Sequence, residues 1–302
     1  MTMLPWQAAT AAHVEQLLEL DRLPHALLVR APVGWGEVYF ADWLTHRLLE
    51  VPQTRSDEDP LAVSARTLAH ADLRWVQPDG AVIKVDDIRM LAEFAVGTRQ
   101  SAPRKVAVVE RADLMNPSAA NALLKTLEEP PAHTHLILST SQPGQLLPTI
   151  VSRCQSLVLG ADEPAARRWL LERWDEQVVD ERLFEYGHAP MACDEGLRTG
   201  EESLLPVLSL IARAEHPAQA VDGLLSLDAD RLLARWYRYC VALAAGQLSE
   251  TWAEGVSTRK LAVFVDELVR TRRQMLYSNS ANGRLLLERL SVSWRRMCAS
   301  SA

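Results

Sequence analysis

Residues 31–38 read APVGWGEV; an apolar run, HALLVR, precedes them and a helix-like stretch, VYFADWLTHRLL, overlaps their end. A strand, a glycine-containing turn and a helix in this order form the setting of a phosphate-binding P-loop, whose pattern is G-x-x-x-x-G-K-[ST]. Gly36 takes the place of the second glycine. Ala31 replaces the first glycine, Glu37 the lysine, and Val38 the hydroxyl residue that would bind Mg²⁺. The segment therefore has the form of a phosphate cradle with a carboxylate at its centre.

The charge at position 37 decides whether such a cradle could hold a nucleotide. A lysine roughly 4 Å from the phosphates contributes about 4 kcal/mol at an effective dielectric constant of about 20. Glu37 would repel the phosphates by a similar amount. Replacing the lysine with this glutamate therefore weakens the electrostatic binding of the phosphates by at most about 8 kcal/mol. We expect nucleotide binding to be weak or absent, with Gly34 and Gly36 serving the tight geometry of a strand-to-helix turn.

Thiol and imidazole side chains do not suggest a second reactive site. The cysteines are about forty or more residues apart, which excludes the C-x₂₋₄-C spacing of zinc and redox sites. They are Cys154, Cys193, Cys240 and Cys298. His133 and His135 alternate at the start of a strand and would point to opposite faces, so a shared metal is not expected. We predict four free thiols and no bound metal.

Short apolar runs alternate with helical patterns as far as about residue 160. Runs of four to seven residues rich in Val, Ile and Leu, separated by amphipathic helices, indicate a parallel sheet with helices on both faces. These runs are 25–30, 73–76, 105–110, 134–140 and 156–159. Asp86 can cap the helix that follows it, and Asn116 with Pro117 is the signature of a second helix start.

After GADEP (160–164) no convincing strand follows, and apolar residues recur at the three-and-four spacing of helices. Turn signals near 195–202 divide this helical half into a smaller and a larger part. The predicted domains are therefore an α/β domain over 1–160, a small helical domain over 161–202 and an all-α domain over 203–302.

Composition places the chain among ordinary globular proteins. Of its 302 residues, 48% are hydrophobic and 24% are charged. No apolar run reaches the roughly 20 residues of a membrane span, and the N-terminus lacks the pattern of a signal peptide, so the cytoplasm is the expected compartment. A formal net charge of −7 argues against a surface devoted wholly to nucleic acid.

Basic residues are concentrated towards the C-terminus. Residues 268–302 have a local charge of +6, because seven arginines stand against one acid, Glu288. The arginines are Arg270, Arg272, Arg273, Arg284, Arg289, Arg295 and Arg296. Two interpretations stay open: they coat helices and pair with acidic neighbours, or they form a basic face near DNA or an acidic partner.

One segment has a specific resemblance to a known family. Residues 121–131 read NALLKTLEEPP and are followed, after a strand and a loop, by Ser152-Arg153-Cys154. The segment resembles the bacterial clamp-loader family of AAA+ proteins, the subunits of the DNA polymerase III holoenzyme that open the sliding clamp. VDDIRML, at 85–91, is similar to the family's segment ahead of its acidic strand. The resemblance implies an α/β AAA+ domain with a RecA-like parallel sheet, a helical lid and an all-α collar that joins subunits in a ring.

The family's motor subunits hydrolyse ATP, and this chain departs from their pattern at three places. Besides Glu37, the resemblance places Glu110 and Arg111 where the motors have two acids, and Arg111 is a donor that cannot accept a proton from water. In the lid segment, Met191 and Ala192 occupy the region of an arginine that reads the γ-phosphate in the motors. The resemblance thus implies a subunit with no ATPase activity of its own.

Arg153 is in an intact family context. An arginine supplied to a neighbouring subunit's site can accelerate phosphoryl transfer by ~10³–10⁵, and the resemblance implies this role for Arg153, with Ser152 and Cys154 completing the motif. The implied assembly is a heteropentamer with three motor subunits and a delta subunit, acting on the sliding clamp and primer–template DNA. Residues 51–73 contain no counterpart of the four-cysteine zinc module found in many members. Neither ATP nor zinc is expected as a cofactor.

Two other functions stay open. The chain could be an ATP-hydrolysing motor of the same family, against which Glu37, Val38 and Arg111 speak. It could also be an AAA+-like scaffold outside the replisome that binds DNA through its basic C-terminus. ATP binding would distinguish the first alternative, and failure to assemble with motor subunits the second.

Overall fold

The computed structural model describes residues 3–53, 61–80, 82–225, 228–247, 250–253, 256–277 and 282–299. The chain forms two compact units, Met1–Trp169 and Leu170–Ala302. The first contains the sheet, and the described part of the second is helical. The predicted domain boundaries after residues 160 and 202 stay predictions.

The first unit alternates strands and helices along the chain. Its elements are α1 (Ala8–Glu19), β1 (Ala26–Arg30), α2 (Glu37–Leu49), β2 (Leu73–Val76), α3 (Val85–Val96), β3 (Lys105–Val109), α4 (Pro117–Glu128), β4 (Thr134–Thr140), α5 (Pro148–Val151) and β5 (Gln155–Val158). The five strands coincide with the five predicted apolar runs to within a residue at each end.

The strands form one parallel sheet in the order β2-β3-β4-β1-β5. In the register of this sheet, Leu28 of β1 lies opposite Leu138 of β4 on one side and Ser156 of β5 on the other. Every residue of β3 and β4 is buried. A strand covered on both faces is rich in apolar residues, as at Leu136 to Leu138 of β4, which is why apolar runs predicted it. The predicted sheet is confirmed.

Two helix starts were predicted from capping residues, and the structure bears out one of them. Asn116 caps α4, since its side-chain oxygen accepts a hydrogen bond from the Ala119 amide at 2.8 Å. The cap predicted at Asp86 is wrong, because α3 begins at Val85. Asp87 instead reaches back to the Lys84 amide at 3.0 Å, as an acid at the third helical position does.

The second unit is built from helices that enclose an aromatic core. They are α6 (Glu163–Leu171, which crosses the boundary), α7 (Glu176–Glu185), α8 (Pro190–Arg198), α9 (Leu204–Arg213), α10 (Ala229–Ala244), α11 (Thr258–Tyr277) and α12 (Gly283–Ala299). Trp236 and Trp294 are fully buried with ring centroids 5.6 Å apart, and Phe264 packs 5.1 Å from Trp294. None of the helices in the described ranges combines the length and the apolar character needed to cross a bilayer.

Candidate functional site

The turn between β1 and α2 has the backbone of a P-loop. Gly34 and Gly36 adopt positive φ angles of 77° and 86°, a conformation that L-residues with side chains rarely adopt. Contacts from the N-terminal segment fix this turn. Trp6 Nε1 donates to the Trp35 carbonyl at 2.9 Å, and Gln7 Nε2 donates to the carbonyls of Trp35 and Gly36 at 3.1 and 2.9 Å. The shape is therefore set by hydrogen bonds within the chain.

The side chains around this turn differ from those of a working nucleotide site. Ala31 is buried directly after β1, where its amide donates to the Thr140 carbonyl at 3.3 Å. Val38 lies in the first turn of α2 and has no hydroxyl to offer a metal. Glu37 begins α2 and is 8% exposed. The lysine position thus contains a carboxyl group that is almost closed off from water.

Glu37 belongs to a cluster of charged groups. Burial raises its pKa to about 7, against the opposing effects of a hydrogen bond from its own amide and of the positive charge of Arg111. The nearby carboxylates of Asp113 and Glu110 add to the rise in the Glu37 pKa. The structure therefore brings Glu37 near Glu110, Arg111 and Asp113.

Glu110 is engaged by two side chains from other parts of the first unit. Arg66 forms a bidentate ion pair with it, with Nε 2.8 Å from Oε2 and Nη2 2.5 Å from Oε1. Trp75 Nε1 donates to Oε2 at 3.0 Å. Both oxygens of the carboxylate that would serve the metal's shell in a motor thus already accept hydrogen bonds.

Arg111 is paired in the same way. Its backbone is left-handed, with φ 52°, and its guanidinium Nη2 lies 2.9 Å from Asp113 Oδ2. The other oxygen of Asp113 accepts a hydrogen bond from Thr140 Oγ1 at 2.7 Å, and the Arg111 amide donates to Ser139 Oγ at 3.2 Å. Sequence reasoning missed Asp113, Arg66 and Trp75. Of these three, only Asp113 could have been found from the sequence, because it is an acid two residues after Arg111.

The charges of this cluster nearly compensate one another without a ligand. It contains the carboxylates of Glu37, Glu110 and Asp113 and the guanidiniums of Arg66 and Arg111. An incoming triphosphate would have to separate these pairs and would face a further carboxylate at Glu37. Arg111 itself is a donor and cannot accept a proton from water.

Arg153 is an exposed arginine outside the charged cluster around Glu37. It follows the short helix α5, and its side chain is 36% exposed. Nη1 donates to the Thr149 carbonyl at 3.0 Å, and Nη2 lies 2.6 Å from Oε1 of Glu128. The guanidinium is therefore held within its own subunit by a carboxylate and a backbone carbonyl.

The neighbours of Arg153 in the motif are not reactive. Ser152 is exposed and donates to the Thr149 carbonyl at 3.1 Å. Cys154 packs against the hydrophobic core of the first unit, which includes residues of β4 and α4. Burial raises the pKa of its thiol to about 11. At neutral pH it is a protonated packing residue, because only the thiolate is a nucleophile.

In the second unit, Met191 and Ala192 lie on α8, both half-buried. The arginine at the end of this helix, Arg198, donates to Asp194 at 3.1 Å and so already has a counterion. Several C-terminal arginines are also paired. Arg272 lies 2.5 Å from Asp230, and Arg289 lies 3.1 Å from Glu267. These pairs favour the interpretation that the basic segment covers helices and meets acidic neighbours.

The described residues include no group of three His, Cys, Asp or Glu side chains arranged to bind a metal. Residues 54–60 of the interval that lacks a zinc module lie outside the described chain, so the absence of zinc stays a prediction. His135 is buried with Nδ1 3.1 Å from the Pro24 carbonyl, and burial lowers its pKa to about 4. It is a neutral core histidine.

Comparisons with known proteins agree on one family. The family model described as "DNA polymerase III, delta subunit" matches residues 6–163, more than half of the chain. DNA polymerase III subunit delta' of Pseudomonas aeruginosa is 29% identical, with 96% of each chain covered. The corresponding subunit of Bacillus subtilis is 35% identical over 57% of this chain and 50% of its own length.

A solved structure supports the same fold. A DNA polymerase III gamma subunit-related protein of Thermotoga maritima superposes with a TM-score of 0.56 at 20% identity, covering 94% of this chain and 99% of that one. At this identity the likeness concerns the fold alone, and it agrees with the predicted AAA+ class. The chain belongs to the DNA polymerase III delta-subunit family, where it joins the delta-prime subunits, which are components of the bacterial clamp loader.

Proposed function

We propose that this chain is the non-hydrolysing member of its clamp-loader ring and supplies Arg153 to the ATP site of a neighbouring motor subunit. The observation that supports the proposal is a contrast between two sites. The carboxyl groups of the chain's own cradle are buried, and Glu110 and Asp113 are ion-paired with arginines. Arg153 is exposed, and the carboxylate that it meets, Glu128, is itself 49% exposed.

Catalysis in the chain's own cradle would meet two obstacles. Glu37 places a carboxyl group where a cation should contact the β- and γ-phosphates, a change worth at most about 8 kcal/mol. Arg111 stands where a carboxylate should orient and deprotonate water, and its ion pair with Asp113 holds it in place. Neither obstacle affects an arginine acting on another subunit's nucleotide.

Arg153 is well placed for action in trans. It is fixed between α5 and β5, so its backbone is held by a helix and by the sheet. Its planar guanidinium can donate two parallel hydrogen bonds to phosphate oxygens, where charge develops during phosphoryl transfer. The partners in this proposal are three motor subunits and a delta subunit in a pentamer that loads the sliding clamp onto primer–template DNA. The collar over 203–302 would join the chain to that ring, and 161–202 would form the lid.

The test uses the ring reconstituted from this chain and its own organism's motor and delta subunits. Arg153→Ala should lower clamp- and DNA-stimulated ATP turnover by about tenfold or more, with the ring still intact by gel filtration. Arg89→Ala is the matched control, since Arg89 is also an exposed arginine in an ion pair, with Asp86 at 3.1 Å. Turnover that is equal for the two variants would contradict the role of Arg153.

A second measurement tests the chain's own site. The isolated subunit should bind ATP weakly or not at all in a titration with a fluorescent ATP analogue, and it should release no phosphate. Tight binding with turnover would favour the motor function instead. A wild-type chain that fails to join the motor subunits would favour the scaffold.

A further inference from the structure

The guanidinium of Arg153 is anchored at the ends of two helices of its own subunit. Nη2 lies 2.6 Å from Oε1 of Glu128, the last residue of α4. Nη1 donates to the Thr149 carbonyl of α5 at 3.0 Å and lies 3.5 Å from Ser152 Oγ. Both side chains of the ion pair remain in contact with water, since they are 36% and 49% exposed.

The position of Glu128 is unusual for an acid. The carbonyl ends of a helix carry partial negative charge, so a carboxylate in the last turn is unfavourable and a cation is favourable. Arg153 supplies that cation for the end of α4, and it also donates to the Thr149 carbonyl of α5. In the isolated subunit the arginine is therefore held in place by negative charge on two sides.

We propose that Glu128 is a positioning residue that holds Arg153 on its own subunit until the terminal phosphate of a nucleotide bound next door displaces the carboxylate. The inference rests on the proposed function of Arg153. The exchange replaces a carboxylate with a more highly charged phosphate, to which arginine can also bind in a bidentate manner. Glu128 thereby makes engagement of the arginine depend on the nucleotide.

This arrangement has a kinetic consequence. Arg153 must leave Glu128 before it can contact the phosphate. In this proposal it contacts the phosphate both in the bound substrate and in the transition state. An energetic cost common to both states changes KM and leaves kcat unaltered. Exposed ion pairs of this kind correspond to a factor of about two to five in an equilibrium constant.

The experiment compares variants in the reconstituted ring. Glu128→Gln should lower KM for ATP about two- to fivefold with unchanged kcat, because the amide no longer competes for the guanidinium. Glu129→Gln is the matched control, since it removes the adjacent exposed carboxylate, which has no ion-pair partner within the described residues. Its KM and kcat should equal those of the wild type. In rings that also contain Arg153→Ala, Glu128→Gln should cause no further change, since the two residues act through one interaction.

The outcomes separate the inference from the function on which it rests. If Arg153→Ala impairs turnover but Glu128→Gln behaves like Glu129→Gln, the inference is wrong and the proposed function stands. A raised KM or a lowered kcat for Glu128→Gln would also overturn the inference, since Glu128 would then assist the arginine rather than restrain it. Normal turnover of the Arg153→Ala ring would overturn both proposals.

Discussion

Arg235 of α10 and Glu185 of α7 form an ion pair of 2.5 Å inside the helical unit, with both side chains at most 1% exposed. Glu185 also accepts hydrogen bonds from Tyr239 at 2.6 Å and from Arg182 at 2.7 Å. Burial alone would raise the pKa of Glu185, but Arg235 and these hydrogen bonds lower it overall. The carboxylate is ionised and fully surrounded by donors.

The first prediction concerns this ion pair. Arg235→Ala should lower the free energy of unfolding by about 3–5 kcal/mol, because it leaves a buried carboxylate short of its counterion. Arg231→Ala is a suitable control on the same helix, since Arg231 pairs with Glu195 at the surface and its loss should cost less than about 1 kcal/mol. Urea unfolding of both variants measures the difference. Equal losses would show that the buried pair adds nothing to stability.

The second prediction concerns the pH dependence of stability. The pKa of Glu37 is about 7 in the folded chain and 4.5 as its ordinary value. The folded state therefore binds the proton more tightly, so the associated stability is present below about pH 4.5 and is lost as the pH rises through 7. Glu37→Gln removes this loss. It should be more stable than the wild type by up to about 3 kcal/mol at pH 8, with the difference shrinking towards pH 5.

Urea unfolding at pH 8 and at pH 5 checks this expectation. Glu19→Gln makes the same chemical change on the exposed surface of α1 and should show no comparable dependence on pH. A difference between Glu37→Gln and the wild type that is equal at both pH values would mean that Glu37 ionises normally in the folded chain.

The third prediction asks whether side chains alone disable the cradle. Glu37→Lys combined with Val38→Thr restores the cation and the metal-binding hydroxyl of the P-loop pattern. We expect it to bind ATP at least about tenfold more tightly than Glu37→Gln with Val38→Thr, since only the former adds a positive charge beside the phosphates. Neither variant should hydrolyse ATP, because Arg111 remains at the water-activating position. Titration with a fluorescent ATP analogue and a phosphate-release assay give the two readouts.

The fourth prediction concerns the backbone of the turn. Gly36 has a φ of 86°, so Gly36→Ala should destabilise the chain by roughly 1–2 kcal/mol through strain of the left-handed conformation. Gly144→Ala serves as the control, since a Cβ there would meet nothing within 4 Å. Thermal unfolding of the two variants should separate them. Similar Tm values would mean that the turn can readjust around a side chain.

Much of the fold could be predicted from the sequence because its signals are local. Each strand contains a short apolar run, such as Leu136 to Leu138 in β4, and Asn116 with Pro117 starts α4 through contacts within one turn. The predicted cap, Asp86, lies two residues after the observed N-cap, Lys84, because the sequence pattern did not fix where the helix starts.

The candidate site was predictable only in its motif positions. Ala31 and Glu37 could be placed by the spacing of the P-loop pattern and Arg111 by the family resemblance, and the structure brings the latter two together. The partners of Glu110 could not be inferred, since Arg66 and Trp75 lie 44 and 35 residues away along the chain. The pair of Arg153 with Glu128 was hidden in the same way, because it depends on how the ends of α4 and α5 meet.

The hydrogen bonds from Trp6 and Gln7 to the turn after β1 bear on what remains of a nucleotide site after its catalytic residues are lost. These bonds stabilise the turn that contains Gly34 and Gly36, and they do so without a ligand. Once catalysis is lost, the residues at the lysine and hydroxyl positions can change while the turn keeps its backbone, whereas replacing Gly36 strains the left-handed conformation. A nucleotide site that has lost its activity is therefore expected to keep its backbone conformation longer than its catalytic side chains. A motif search based on glycine spacing alone would still identify it as a nucleotide site.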